Sequence, residues 1–554
     1  MGFFFGQIQD FFQKKIFPLL IFERFNIFLL IIGVVLRLKH YLENRSFWLD
    51  ETYVGIQVTS SSLMELLTFK GITMGQPQTP LFFNLVEKIL TLLLGNHEYA
   101  LRLFPFLSGI CALFLFYFFA KHLLDKKVVP IALAFFVFSD YLIYYSAELK
   151  PYSMDVAVAI FLFFMGQKLV GVPSRKGEAL FLKIAGILAI CFSHASLFVL
   201  GGIGLTLFFS SIRQKDWRQA KRLLVVYGYW FCCFLVFYMG IYKSMAQETG
   251  FIKGNKFLIP YPLFSAEAWK WLVKSTVHFW ETAAGFSPLL VGVVIFSIGA
   301  ISIFKSNKEK FFIFTTPFLL AFLASLLHKY PFEGRFFLFS IPIVFVFFAQ
   351  GVNVLLSYRK KFVSLITIVL TIVLLLNPIT MAADKFRNGR KHEQNRQVMQ
   401  WFAKHYKKGD TLFINMNGQF PFWYYMGQLN IIDKISTHPV KVEGILYDGM
   451  NVITFYDDLI VDDKGLNGEF IYDTNFYNQK GFFRGVTNQR DKEEGILFYR
   501  DSVLDIKPKR AWLYFSHVKP DTEKFILDYF DRSGKRVDAY EKKGTAVYLY
   551  DFSK

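Results

Sequence analysis

The sequence predicts a polytopic all-α membrane domain of about 11 to 13 spanning helices, followed by a small α/β domain outside the membrane. Three observations carry this. Of the 554 residues, 54% are hydrophobic and 19% aromatic, and a mean hydropathy of +0.35 is far above what a water-soluble globular chain tolerates. Apolar runs able to cross a bilayer recur, among them 103–120, 128–145, 311–327 and 362–376, with charge mostly between them. After Met381 the composition turns polar and mixed in charge, which divides the chain into a membrane part over 1–383 and a soluble part over 384–554.

Positive charge marks the cytoplasmic side. It places 121–127, 174–183, 213–222, 305–310 and 358–361 inside, so 96–101, 148–153, the turn at His194, 243–286 and 328–335 face outward. If the first span, about 25–38, runs outward, then 39–78 is an outer loop, and the apolar stretch 81–94 cannot cross without inverting everything after it. At about 14 residues it is also short for a crossing, and it reads as a juxtamembrane or re-entrant helix on the outer face, leaving about eleven true spans. The soluble part follows the last span. Helical patterns at 392–406 and 522–530 alternate with strand patterns at 411–416, 511–517 and 546–550, which predicts a small α/β fold, outside by parity.

The net charge of +19 raises nucleic acid as a partner. Lys and Arg, however, gather at the ends of apolar runs, and no separate basic domain exists, so membrane lipids are the expected partner and nucleic acid is not. Cys111, Cys191, Cys232 and Cys233 all lie in apolar runs and read as packing residues. No small-residue cleavage site follows the apolar residues from Phe3, so no removed signal peptide is expected.

Three outward-facing clusters carry candidate chemistry. Phe47-Trp48-Leu49-Asp50-Glu51 sets two adjacent carboxylates beside an interfacial Trp. Carboxylates at a lipid boundary are costly to desolvate and are suited to work as a general base or as metal ligands; the alternatives are a solvated loop or an N-cap for a helix over 53–69. Tyr145 to Asp155 (YSAELKPYSMD) brings Glu148, Lys150 and Asp155 into one short turn, which Pro151 keeps out of the preceding helix. Its plainer reading is an interfacial turn, with Asp155 as a helix-dipole partner. His328 to Arg335 (HKYPFEGR) places Arg335 at the start of an apolar helix, where a guanidinium and unpaired N–H groups suit a phosphate; the alternative is a head-group anchor.

In this order the pieces resemble bacterial membrane glycosyltransferases related to protein O-mannosyltransferases and to the aminoarabinose transferase of lipid A, the GT-C superfamily. The resemblance lies in Leu36-Arg37, Trp48-Leu49-Asp50-Glu51, Thr79-Pro80-Leu81-Phe82-Phe83 with Gly95, Ala100-Leu101-Arg102-Leu103, and Tyr145 to Ser153, with His194 and the stretch from Gly334-Arg335 to Pro342 like later motifs of the family. Two departures stand out. Pro77-Gln78-Thr79-Pro80 occupies the place of a His-Pro-Pro or Pro-Pro, and Lys150 stands where Arg is frequent, offering a point charge without a bidentate fork.

The resemblance implies a polyprenyl-phosphate sugar donor, a lipid, glycan or protein acceptor, and a single inverting displacement at the outer face of a bacterial inner membrane. Asp50 is then the base and Glu51 orients it or binds sugar, while Lys150, Arg335 and Arg102 take the donor phosphate. Arg37, Glu148, Tyr152, Asp155, His194, His328, Lys329 and Tyr330 are further cleft candidates. A divalent metal, Mg²⁺ or Mn²⁺, held by Asp50 and Glu148 is an open alternative. The rival readings are a lipid or polysaccharide flippase, which calls for charge in mid-membrane and inverted repeats, a ligase for pre-built glycans, and a membrane-anchored binding or assembly protein with the α/β domain as its working part.

Overall fold

A computed structural model describes residues 17–68, 79–168, 176–242, 257–358, 360–390, 392–407, 410–429, 452–456, 459–461 and 509–553. The expected absence of a signal peptide, the Pro77-Gln78 departure, and parts of the expected loops lie outside these residues. The chain folds as two compact units, one of 1–43, 78–87 and 102–389, the other of 44–77, 88–101 and 390–554.

The first unit is helical. Among the described residues seven helices are long and apolar enough to cross a bilayer, and the bent pair Val129–Phe138 and Asp140–Ala147, turning by 57°, would make an eighth. Tyr152–Lys168 and Lys176–Phe192, also expected to cross, are shorter, at 17 residues each. Small residues let helices meet at their backbones. A Cβ added to Gly299 would lie 1.8 Å from the Phe347 carbonyl oxygen, and one on Gly351 1.9 Å from that of Ile295, so the helices Leu289–Ser306 and Ile341–Leu356 touch without side chains between them. Around this crossing aromatic rings interlock, with Phe135 4.8 Å and Phe286 5.0 Å from Phe348. Arg37 is buried and donates to the carbonyls of Gly33 (3.1 Å) and Phe136 (3.3 Å), so these two bonds tie it to the helical scaffold.

The helix Leu81–Leu94 forms over the expected 14 residues and carries exposed leucines at positions 92 to 94. The acidic pair is not an N-cap for a helix over 53–69. That helix begins earlier, at Leu49, with Trp48 as its N-cap, and it ends at Ser60. A separate short helix, Leu63–Leu67, follows because Ser62 and Glu65 close a capping box that starts a new turn.

The second unit contains a six-stranded sheet of β1 (Thr411–Asn415), β2 (Val452–Tyr456), β3 (Leu459–Val461), β4 (Arg510–Ser516), β5 (Lys535–Lys542) and β6 (Thr545–Asp551), ordered β3-β2-β1-β4-β6-β5. β1 pairs in parallel with β2 and β4, and the remaining pairs are antiparallel. β4 is almost wholly buried, as a central strand covered on both faces must be. On one side Ile526, Leu527 and Phe530 of the helix Pro520–Ser533 pack against Leu513, Phe515, Tyr548 and Tyr550. Phe402 of the helix Asn395–His405 packs against Trp512, with ring centres 5.4 Å apart.

Candidate functional site

In the second unit the acidic pair sits in the first turn of Leu49–Ser60, with Glu51 fully buried and Asp50 half-buried. Negative charge is favoured at this helix end. Trp48 supplies no side-chain cap. Instead the Leu49 N–H donates to Glu393 Oε2 at 3.0 Å, a cap delivered from the far end of the chain. Phe47 is held at both of its backbone groups: its N–H donates to the Tyr425 hydroxyl (2.6 Å) and its carbonyl accepts from Asn395 Nδ2 (2.9 Å). Asn395 Oδ1 accepts the hydroxyls of Tyr514 (2.9 Å), Ser516 (2.7 Å) and Thr545 (2.8 Å), anchoring it to β4 and β6. The Tyr425 hydroxyl donates to Glu98 at 2.7 Å, and Glu98 also pairs with Arg396 at 3.0 Å.

The Trp48 ring stacks on His392, with centroids 5.6 Å apart, and lies 6.3 Å from His517, whose Nδ1 bonds Glu393. Loss of water around the His392 ring pushes its pKa down to about 4; the cations Arg45, Arg390 and Lys543 act in the same direction and Glu51 opposes them. The Trp48 ring thus has an imidazole kept neutral at pH 7 stacked on it and a second imidazole near it.

In the first unit the second and third clusters come together. Tyr145 packs at 4.8 Å on Tyr152, and Tyr152 at 5.9 Å on Phe336. Both Glu148, which is fully buried, and Arg335 lie within electrostatic reach of the Tyr145 hydroxyl. Arg335 sits between the rings of Phe257 (5.0 Å) and Phe336 (5.2 Å), its Nε paired with Glu333 at 3.2 Å. Tyr330 joins them, its hydroxyl donating to the Phe336 carbonyl at 2.7 Å. Asp155 accepts from Ser193 Oγ at 2.6 Å, bringing the residue before His194 to this helix start. Arg102 is buried, and Lys150 is half-buried in the turn after Glu148.

His328 and Lys329 do not join this group in the same way. His328 takes a left-handed backbone, φ 55°, bonds the Ile259 carbonyl and packs at 4.1 Å on Tyr261, while Lys329 is exposed. Sequence reasoning missed the end of the first span, where Glu43 accepts from Lys39 and from His40 Nδ1 (3.0 Å). Burial opposes ionisation of Glu43, but the hydrogen bonds from His40 and Lys39 outweigh it and hold the carboxyl down at about 2. The i,i+3 and i,i+4 spacing of these three was a readable signal. Glu98, Glu393, Asn395 and Tyr425 were also missed, and no local pattern marks them. Among the described residues no group of three or more His, Cys, Asp or Glu could hold a metal ion.

No protein-family model matches the chain, and no curated protein matches it. Among solved structures, ArnT from Cupriavidus metallidurans in the apo state matches with a TM-score of 0.51 at 11% identity, over 95% of this chain and 97% of that one. The same protein bound to undecaprenyl phosphate matches with a TM-score of 0.48 at 10% identity, over 95% and 97%. The Archaeoglobus fulgidus oligosaccharyltransferase in complex with Zn and sulfate matches with 0.48 at 12% identity, over 72% of this chain and 61% of that one, so the chain spans about six-tenths of that protein's length. The likeness to apo ArnT is one of fold: a helical membrane part followed by a smaller α/β part, the architecture expected from the motifs.

Proposed function

We propose that this chain is a membrane glycosyltransferase of GT-C type that moves a sugar from a polyprenyl-phosphate donor to an acceptor at the outer face of a bacterial cytoplasmic membrane. The observation that carries the reading is the acidic pair, held in a first helical turn by a buried polar network, in a chain with the fold of apo ArnT. A protein of that name has been solved with undecaprenyl phosphate, the class of carrier proposed here. Burying the Glu51 carboxylate is costly, and a fold that does so beside the half-buried Asp50 gains a base of fixed direction.

In this reaction the acceptor oxygen attacks the anomeric carbon from the face opposite the phosphate. The bond from that carbon to the phosphate oxygen breaks, and its electron pair leaves with the lipid phosphate. Asp50 receives the acceptor's proton, and Glu51 orients it. Lys150, Arg335 and Arg102 take the departing phosphate charge. No step is assigned to a metal.

The test is Asp50→Asn in the full-length protein in nanodiscs, given an undecaprenyl-phosphate sugar and membrane acceptor. Transfer should vanish while donor binding persists, because volume is kept and only the proton acceptor is removed. Activity within about a factor of two of wild type, well under the 10²-fold or more that general-base catalysis contributes, rules out Asp50 as the base.

A further inference from the structure

We propose that Asn395 and Glu393 are positioning residues for the acidic pair: the polar C-terminal segment holds the backbone around Trp48 and so sets the direction of Asp50 and Glu51. The inference rests on the reading of Asp50 as the base.

Three observations converge on it. Residues 47 and 49, which bracket Trp48, are held by side chains more than 340 positions away, at Glu393, Asn395 and Tyr425. These groups are themselves buried: Asn395 and Tyr425 are 0% exposed and Glu393 9%. Buried polar groups give full hydrogen-bond strength and little freedom. Finally, each group is anchored behind. Three strand hydroxyls hold Asn395, Glu98 holds Tyr425, and His517 holds Glu393. A helix whose own N-cap contributes no side chain has a frayed first turn unless another group caps it. Here that first turn contains both carboxylates, so the cap controls their direction. Packing adds to this: a Cβ on Gly55, one turn further on, would lie 3.0 Å from the Tyr424 ring.

Three substitutions separate positioning from general integrity. Asn395→Asp keeps an acceptor for the strand hydroxyls but loses the N–H donated to Phe47 and, at 3.5 Å, to Glu393 Oε2, and sets a second carboxylate beside Glu393. Glu393→Ala removes the cap, whereas Glu393→Gln keeps an oxygen for the Leu49 N–H. The readouts are amide hydrogen exchange of the full-length protein in nanodiscs and transfer kinetics with undecaprenyl-phosphate sugar. In Asn395→Asp and Glu393→Ala, exchange over 47–53 should rise about tenfold or more while the β4 and β6 amides stay protected. The kcat should fall by a similar factor with donor KM within about twofold, and Glu393→Gln should recover most of both. Unchanged exchange over 47–53 overturns the proposal, as does a rise spread equally through the sheet. A local rise in a protein whose wild type transfers no sugar supports the positioning role and overturns the glycosyltransferase reading instead.

Discussion

Arg335 supplies the sharpest test of donor recognition, because the structure already gives it a competitor. Its Nε pairs with Glu333 Oε2 at 3.2 Å, with side chains 15% and 28% exposed, and its guanidinium lies between two phenylalanine rings. A charge-assisted contact to a lipid phosphate is worth about 1.5 to 3 kcal/mol, so Arg335→Ala should weaken donor use roughly ten- to a hundredfold. Arg335→Lys should restore part of this, since charge survives and the bidentate fork does not. The Glu333 pair is partly exposed and worth about 0.2 to 1 kcal/mol, which a phosphate must displace or share. Glu333→Gln should therefore lower the donor KM by up to about fivefold. An anchor for lipid head groups would show no such gain. The assay is donor-dependent kinetics of the three variants and of Lys150→Ala in nanodiscs, at saturating acceptor. A donor KM that is unchanged in Arg335→Ala, or that rises in Glu333→Gln, refutes the assignment.

Gly351→Leu should prevent stable folding or cut the yield of detergent-stable protein severely, because its side chain would meet the Ile295 carbonyl where the helices have no room to give; size-exclusion profiles check this, and a monodisperse, fully stable variant would disprove the close crossing. His392, pushed down to about 4, favours the neutral ring in the folded state, so its contribution is full above the ordinary histidine range and is lost as pH falls from about 6.5 through 4. Thermal unfolding of wild type should thus lose ground to His392→Gln over that window, and parallel curves would count against the packing described for this ring. With the four native cysteines replaced, Asn96→Cys and Ser553→Cys should both react with an impermeant thiol reagent from outside intact cells; labelling of Asn96→Cys only after lysis would make 81–94 a true span and refute the topology from that point on, and the same result for Ser553→Cys would put the C-terminal part inside.

What could be read from the sequence followed the range of the interactions. Hydropathy marked the long helices, and local pattern placed β1, β4, β6 and the helices Asn395–His405 and Pro520–Ser533 within a few residues, because burial and propensity act over one or two turns. The acidic pair, Tyr152, Tyr330 and Arg335 were visible as short charged clusters between apolar runs. Asn395 and Glu393 were not. They lie in an ordinary polar stretch, and what distinguishes them is a hydrogen bond to backbone atoms almost 350 residues earlier. Backbone acceptors and donors carry no side-chain identity, so nothing in the composition of 47–49 specifies its partners. The same physics explains the unit boundaries. The first outer segment looked like part of the membrane domain because it follows the first span, yet 44–77 groups with 390–554. A short helix without its own cap gains most from whichever segment can satisfy its free N–H groups. The C-terminal segment does this for Leu49–Ser60, so removing it should cost the chain more than a soluble appendage: it should free the turn that carries Asp50 and Glu51.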